Sequence, residues 1–410
     1  PGVVFRPDPD GRDGVRVCYL RPSRNIDVTS PRLGEGLGVT DIVAPEARTS
    51  RLSIAVRVAW LAVLLYGFLV SIGLLGKAFK MFGGGVVDGL IASASNPLLG
   101  LFIGILATTL VQSSSTTTSL VVAMVGAGSM PVATAIPVIM GANIGTSVTN
   151  TLVSLGHVTR SNEYSRAVAA STVHDFFNIF AVLVLFPIQL STNVLGRTAT
   201  WLAEGFQDVG GFTFTSPLKM LTGPAVSTIA HAFEGRPWWL LLVALAMMFG
   251  ALRYLVSTLR GLVIARIEAM FDAVLFRNAG RAMLFGLFLT VMVQSSSITT
   301  SLVIPLAGAG LLSLRQIFPY TLGANVGTTI TAMLASLAVG EVTALTVAFA
   351  HLTFNVLGIA IIWPVERIRR IPPDLAERFG EIARHQRWIP LVYILCVFYG
   401  LPLLLILVMR

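Results

Sequence analysis

Long apolar segments separated by short polar ones dominate the chain from about residue 52 onward. They cover about Leu52–Leu75, Ala167–Leu190, Pro237–Leu255, Val342–Pro364 and Trp388–Met409. Each reaches or approaches the roughly 20 residues that a helix needs to cross a bilayer. Two further stretches, 81–159 and 282–340, are nearly free of charge but are broken up by glycines and hydroxyl residues. In the first of them Asp88 is the one formally charged side chain. This pattern predicts an all-α, polytopic membrane protein.

The strongest feature is an internal repeat. Val111–Leu120 reads VQSSSTTTSL and Val293–Leu302 reads VQSSSITTSL, nine of ten positions matching at an offset of 182. The same offset takes Gly141–Thr146 (GANIGT) onto Gly323–Thr328 (GANVGT). A third pair, HDFFN at His174–Asn178 and HLTFN at His351–Asn355, lies 177 residues apart. Two halves therefore carry the same parts in the same order.

Arginine sets the orientation. The chain up to Arg57 holds nine, segment 253–281 five and segment 366–387 six. Basic residues near membrane ends favour the cytoplasm whatever the acids beside them, so all three segments are expected inside and 191–236 outside. The halves then have opposite topology, an inverted repeat with broken or re-entrant helices at the centre, as in many secondary transporters. The expected divisions are a polar cytoplasmic tail (1–51), repeat 1 (52–190) and an extracytoplasmic linker (191–236). Repeat 2 (237–364), a cytoplasmic amphipathic segment (365–387) and a terminal transmembrane helix (388–410) follow.

Composition narrows the classes. Hydrophobic residues make up 54% and charged ones 12%, with a mean hydropathy of +0.79. A soluble domain carries about twice that charge, and a disordered chain is charge-rich and poor in hydrophobic residues. The net charge of +9 would suggest nucleic acid in a soluble protein; here it records orientation, and no nucleic-acid partner is expected. Cys18 and Cys396 fall in different settings and form no metal motif.

Gln112–Thr118 places seven amide and hydroxyl side chains in a row within an apolar region. Lipid would leave them unsatisfied, so they face protein, water or a ligand. A discontinuous helix at mid-membrane, with free backbone amides and hydroxyls, accounts for them. In the GAN-x-GT copies the glycines permit unwound backbone, and Asn143, Asn325, Thr146, Thr328 and Thr329 supply oxygens. Each Asn follows its Gln by 31 residues, which favours one composite site about a pseudo-two-fold axis. Neutral oxygen and amide ligands suit a monovalent cation, or an oxyanion held at helix amino termini. No cysteine–histidine or carboxylate cluster suggests zinc, calcium or magnesium.

Between Lys80 and Arg160 there is no Lys or Arg, so an anion would meet no fixed side-chain cation of its own. A bound sodium ion would supply that charge, and each ion would offset the other's cost in low dielectric. His174 with Asn178, and His351 with Asn355, share helix faces; polar packing between helices is the simpler role, with metal or proton work as the other. Asp175 occurs in the first copy alone and could neutralise a cation or meet Arg166, and Asp88 is a second intramembrane acid that the preceding glycines would place in a turn. A serine hydrolase would need a base beside its nucleophile, which the QSSS motifs lack, so no enzyme is expected. A channel could use a similar polar filter, but a twofold repeat around a closed site favours a carrier.

These residues resemble the type II sodium-dependent phosphate cotransporter family. The likeness rests on the twin QSSS motifs, on GANIGTSVTN at Gly141–Asn150 with its second copy, and on TVHDFFN at Thr172–Asn178. It covers the chain from about residue 52 to the end. It implies a bacterial, multi-pass protein of the inner cell membrane that takes up inorganic phosphate with sodium by alternating access. No cofactor is implied beyond sodium as the coupling ion. Carried over residue by residue, phosphate falls to Ser113, Ser114, Ser115, Ser295, Ser296 and Ser297. Sodium falls to Gln112, Thr116, Asn143, Thr146, Gln294, Asn325, Thr328 and Thr329. Coupling to protons, or another oxyanion, remains the alternative, and nothing fixes the oligomeric state. Animal members carry a larger, cysteine-containing loop between the halves than 191–236 provides.

Overall fold

The computed structural model describes residues 3–7, 15–19, 51–94, 96–208, 217–267, 276 and 278–409. They fall into two units, 1–50 and 51–410. The first contains an antiparallel ribbon of β1 (Val3–Pro7) and β2 (Val15–Tyr19), with Val3 opposite Tyr19 and Pro7 opposite Val15. Averaged over 50 residues, the polar composition hid these two short runs rich in β-branched valine.

The second unit is helical. Its first half holds α1 (Arg51–Ala94), α2 (Pro97–Val111), α3 (Ser114–Gly126), α4 (Val132–Gly145), α5 (Val148–Ser154) and α6 (Ser161–Thr192). Then come α7 (Val194–Asp208) and α8 (Pro217–Ala232). The second half holds α9 (Pro237–Ile267), α10 (Ala279–Val293), α11 (Ser296–Gly308), α12 (Leu314–Val339) and α13 (Val342–Ile362). The chain continues through α14 (Glu366–Arg369), α15 (Ile371–His385) and α16 (Ile389–Tyr393). A π-helical stretch, Ile394–Gly400, leads into α17 (Leu401–Val408).

Among the described residues, seven helical stretches are long and apolar enough to cross a membrane. In contrast, α2, α3, α10 and α11 have only 13 to 15 residues each. At 1.5 Å per residue none covers a hydrocarbon core of about 30 Å. They form two helix–break–helix units. Both units start the same way: Asn96 Oδ1 accepts from the Leu98 N–H at 2.9 Å, and Asn278 Oδ1 from the Gly280 N–H at 2.8 Å. These caps satisfy donors that helix starts leave free.

The halves pack alike. Helix α2 lies against α4, and α10 against α12, while α1 lies against α9. Glycines set the first two contacts. A Cβ on Gly104 would overlap the Val138 carbonyl, and one on Gly141 the Leu101 carbonyl. In the second half, a Cβ on Gly286 would overlap the Tyr320 carbonyl and one on Gly323 the Met283 carbonyl. Small residues let membrane helices approach to backbone contact. The unwinding that the GAN-x-GT glycines permit does not occur: Gly141–Gly145 is helical in α4, and α12 runs unbroken through Gly323–Thr328. Only the first copy is interrupted, between Gly145 and Val148.

Two other expectations change. Segment 191–236 is not a plain linker, because α7 and α8 occupy most of it; α7 packs on α13, and α8 on α1 and α12. Within segment 365–387, α15 is amphipathic and lies along α6. Asp88 lies in α1 rather than in a turn, and its side chain is outside the described residues.

Candidate functional site at two broken helices

Each QSSS motif is a helix break with the same construction. Gln112 ends α2 in a left-handed conformation (φ 57°, ψ 27°), and Gln294 ends α10 likewise (φ 56°, ψ 25°). A residue with a Cβ resists that region by roughly 1–2 kcal/mol. Side-chain bonds hold it there. The Gln112 amide nitrogen donates to the Thr109 carbonyl, and its Oε1 accepts from Thr149 Oγ1 at 2.7 Å. The Gln294 amide donates to the Val291 carbonyl, and its Oε1 accepts from Thr331 Oγ1 at 2.8 Å. Each glutamine thus ties the break to the GAN-x-GT segment of its own half. Thr149 and Thr331 were missed in the sequence, although both follow their glutamine by 37 residues.

Next in each motif comes an extended serine, Ser113 (φ −154°) or Ser295 (φ −153°), that caps the following helix. Ser113 Oγ accepts from the Thr116 N–H at 3.2 Å and from Thr116 Oγ1 at 2.9 Å. Ser295 Oγ accepts from the Ile298 N–H at 3.4 Å. The N–H groups of Ser114, Ser115, Ser296 and Ser297 belong to first turns, where a helix supplies no acceptor of its own. All four serines are buried.

The remaining predicted residues lie on α4 and at its carboxyl end, and on α12. Thr146, Thr328 and Thr329 donate to the Ala142, Ala324 and Val326 carbonyls of their own helices, at 3.0, 3.1 and 2.7 Å. Their hydroxyl oxygens keep lone pairs, but their protons are committed. Asn143 and Asn325 reach the other half. His351 Nε2 meets Asn143 Oδ1 at 3.3 Å, and His174 Nε2 meets Asn325 Oδ1. Asn325 Nδ2 donates to Asn178 Oδ1 at 2.8 Å, and Asn178 Nδ2 to the Asn143 carbonyl at 2.9 Å. The histidine of each half is therefore paired with the asparagine of the other.

Helix contacts repeat that exchange. Helix α3 packs on α12 and α13, whereas α11 packs on α5 and α6. Across the same seam, Asn150 Nδ2 donates to Thr300 Oγ1 at 2.8 Å, and Ser297 Oγ to the Thr146 carbonyl at 3.4 Å. Arg166 does not meet Asp175; its Nη2 and Nε donate to the Gly308 carbonyl at 2.6 and 3.0 Å, closing the carboxyl end of α11. Asp175 is fully buried, and neither of its oxygens is within hydrogen-bond geometry of a partner. The Ser147 and Tyr393 hydroxyls lie close to it, and the Tyr393 hydroxyl is itself outside hydrogen-bond geometry. Ser147 Oγ lies 3.2 Å from His174 Nδ1.

The family model described as Na+/Pi-cotransporter matches residues 68–203 and 247–363, which hold both broken helices and both crossing networks. The chain belongs to this cotransporter family. Sodium-dependent phosphate transport protein 2A of Ovis aries is 33% identical over 82% of the chain and 65% of its own length. The 2B protein of Homo sapiens is 33% identical over 83% and 63%, and the 2A protein of Rattus norvegicus 34% over 82% and 65%. The chain thus spans under two thirds of the length of these relatives. No solved structure matches it. Burial of so many polar groups fits helices long enough to cross a membrane, since lipid cannot satisfy such groups.

Proposed function

We propose that the chain is a secondary active transporter that takes up inorganic phosphate together with sodium by alternating access. One observation carries this reading: each broken helix docks onto helices of the opposite half, so both halves form a single polar centre. The names of the family relatives supply the ions. Relative motion of the halves would remake this seam and expose the centre to either side in turn.

Phosphate is assigned to the serines at 113–115 and 295–297, through hydroxyls and first-turn amides at the amino ends of α3 and α11. Sodium is assigned to oxygens of Gln112, Thr116, Asn143, Thr146, Gln294, Asn325, Thr328 and Thr329. Asp175 is buried with both carboxyl oxygens unpartnered, so it would carry a negative charge only with a cation beside it, and a bound sodium ion would serve. The halves are read as an inverted repeat in the inner membrane of a bacterium, with the arginine-rich segments 253–281 and 366–387 in the cytoplasm.

The test is labelled phosphate uptake into proteoliposomes under an inward sodium gradient or an equal potassium gradient. Sodium-dependent uptake that arsenate competes with is the expected result. Uptake indifferent to sodium would reject the coupling, and uptake of sulfate but not phosphate would reject the substrate.

A further inference from the structure

The chain contains 26 arginines and only three lysines, Lys77, Lys80 and Lys219. All three line one cavity of about 280 Å³. Two of them come from α1 and the third from α8, 142 residues away from Lys77. The carboxyl ends of α3 and α12 complete the wall, through Gly126 and Val339. An adjoining cavity of about 410 Å³ shares Lys80, Gly126 and Glu341 with it.

The charge balance is positive. Lys219 Nζ pairs with Glu341 Oε1 at 3.3 Å, both side chains being about half exposed. Among the described residues, Lys77 and Lys80 have no ion-pair partner. Two cationic groups are thus left to a cavity with room for several waters at about 30 Å³ each.

Interfacial anchoring would explain one lysine at the end of a membrane helix. It does not explain why every lysine of an arginine-using chain meets at one cavity. Residue type fits transient anion capture: an ammonium is a hydrated point charge with rotatable donors, whereas a guanidinium holds an oxyanion in a fixed fork. In the orientation proposed above, this face is also extracytoplasmic, where basic residues are disfavoured.

We propose that Lys77, Lys80 and Lys219 form an anion site for a phosphate group at one mouth of the protein, separate from the helix breaks at Gln112 and Gln294. Helix α3 has its serines at one end and Gly126 at the other, 13 residues along, or roughly 20 Å at 1.5 Å per residue. The phosphate group belongs either to free inorganic phosphate gathered before transport or to an anionic lipid headgroup. Only its part in uptake rests on the transport reading; anion binding does not.

The scarcity of lysine gives a clean assay. Besides the amino terminus, these three side chains are the only amines in the chain. Purified protein in nanodiscs is treated briefly with an amine-acylating reagent, and modification at each lysine is read by peptide mass spectrometry. In phosphatidylcholine discs, inorganic phosphate should slow acylation of Lys77 and Lys80 at least threefold relative to chloride of equal ionic strength. If phosphatidylglycerol discs protect and free phosphate does not, the site is a headgroup site. Protection by neither overturns the proposal, whether or not the protein transports.

A K77Q/K80Q/K219Q variant then tests the role in uptake where the wild-type protein transports. A gathering site predicts a KM for phosphate raised about three- to tenfold with kcat within twofold, the difference shrinking as salt screens the field. Phosphate protection of the lysines with an unchanged KM would remove the gathering role.

Discussion

A glutamine in left-handed backbone is an unusual choice, since glycine takes that conformation without cost. Gln112 and Gln294 are explained by what their side chains do: one end closes the preceding helix, and the other binds Thr149 or Thr331. This separates two roles by mutation. In Gln294→Gly the break should survive, because glycine favours φ near 56°, while the tie to α12 is lost. In Gln294→Ala both are weakened. We expect both variants to reach the membrane folded, as judged by a monodisperse elution profile, and to lose at least tenfold in sodium-dependent uptake. Full uptake by the glycine variant would show that the glutamine serves the backbone and not the ions.

At the scale of the element, the glycines of GAN-x-GT do something the sequence left open. Both glycine-lined contact and local unwinding fit the residue type, and only the neighbouring helix decides between them. Gly141 and Gly323 sit helical against carbonyls of α2 and α10. Gly141→Leu should therefore push α4 off α2, and overpacking of this kind costs about 1–3 kcal/mol. A lowered melting temperature of the purified protein, with Gly128→Ala as a nearby comparison outside that contact, is the expected outcome. Gly128 has open space around it but a positive φ of 76°, so its own cost is confined to the backbone. An unchanged melting temperature for Gly141→Leu would mean that α2 and α4 do not pack closely in the membrane.

Legibility followed the same division. Five of the seven spans, the twin motifs and the breaks at Gln112 and Gln294 could be read because they rest on local pattern: apolar length, polar runs and an exact repeat distance. Helices α7 and α8 could not, because they are short and carry mixed polar sequence that reads as a linker. The pairing of His174 with Asn325 and of His351 with Asn143 was equally hidden. A residue's sequence shows that it needs a polar partner, but not which half supplies one.

For the whole molecule, the exchange between halves makes a demand that a tandem of two independent sites would not. Helix α3 depends on α12 and α13, and α11 on α5 and α6; neither half can satisfy its buried hydroxyls and amides alone. Leaving such groups unpaired costs about 1–3 kcal/mol each, and several are involved. Cutting the chain between α7 and α8 separates the halves without entering either of these helices. We expect fragments 51–208 and 217–410 to be inactive when produced singly and to copurify when produced together. The paired fragments should restore sodium-dependent phosphate uptake, because membrane helices inserted separately can still associate through close packing and interhelical hydrogen bonds. Adding His174→Ala to the first fragment removes one crossing bond and should weaken copurification as well as uptake. Uptake by a single fragment would place a complete site within one half, and the crossing contacts would then be packing alone.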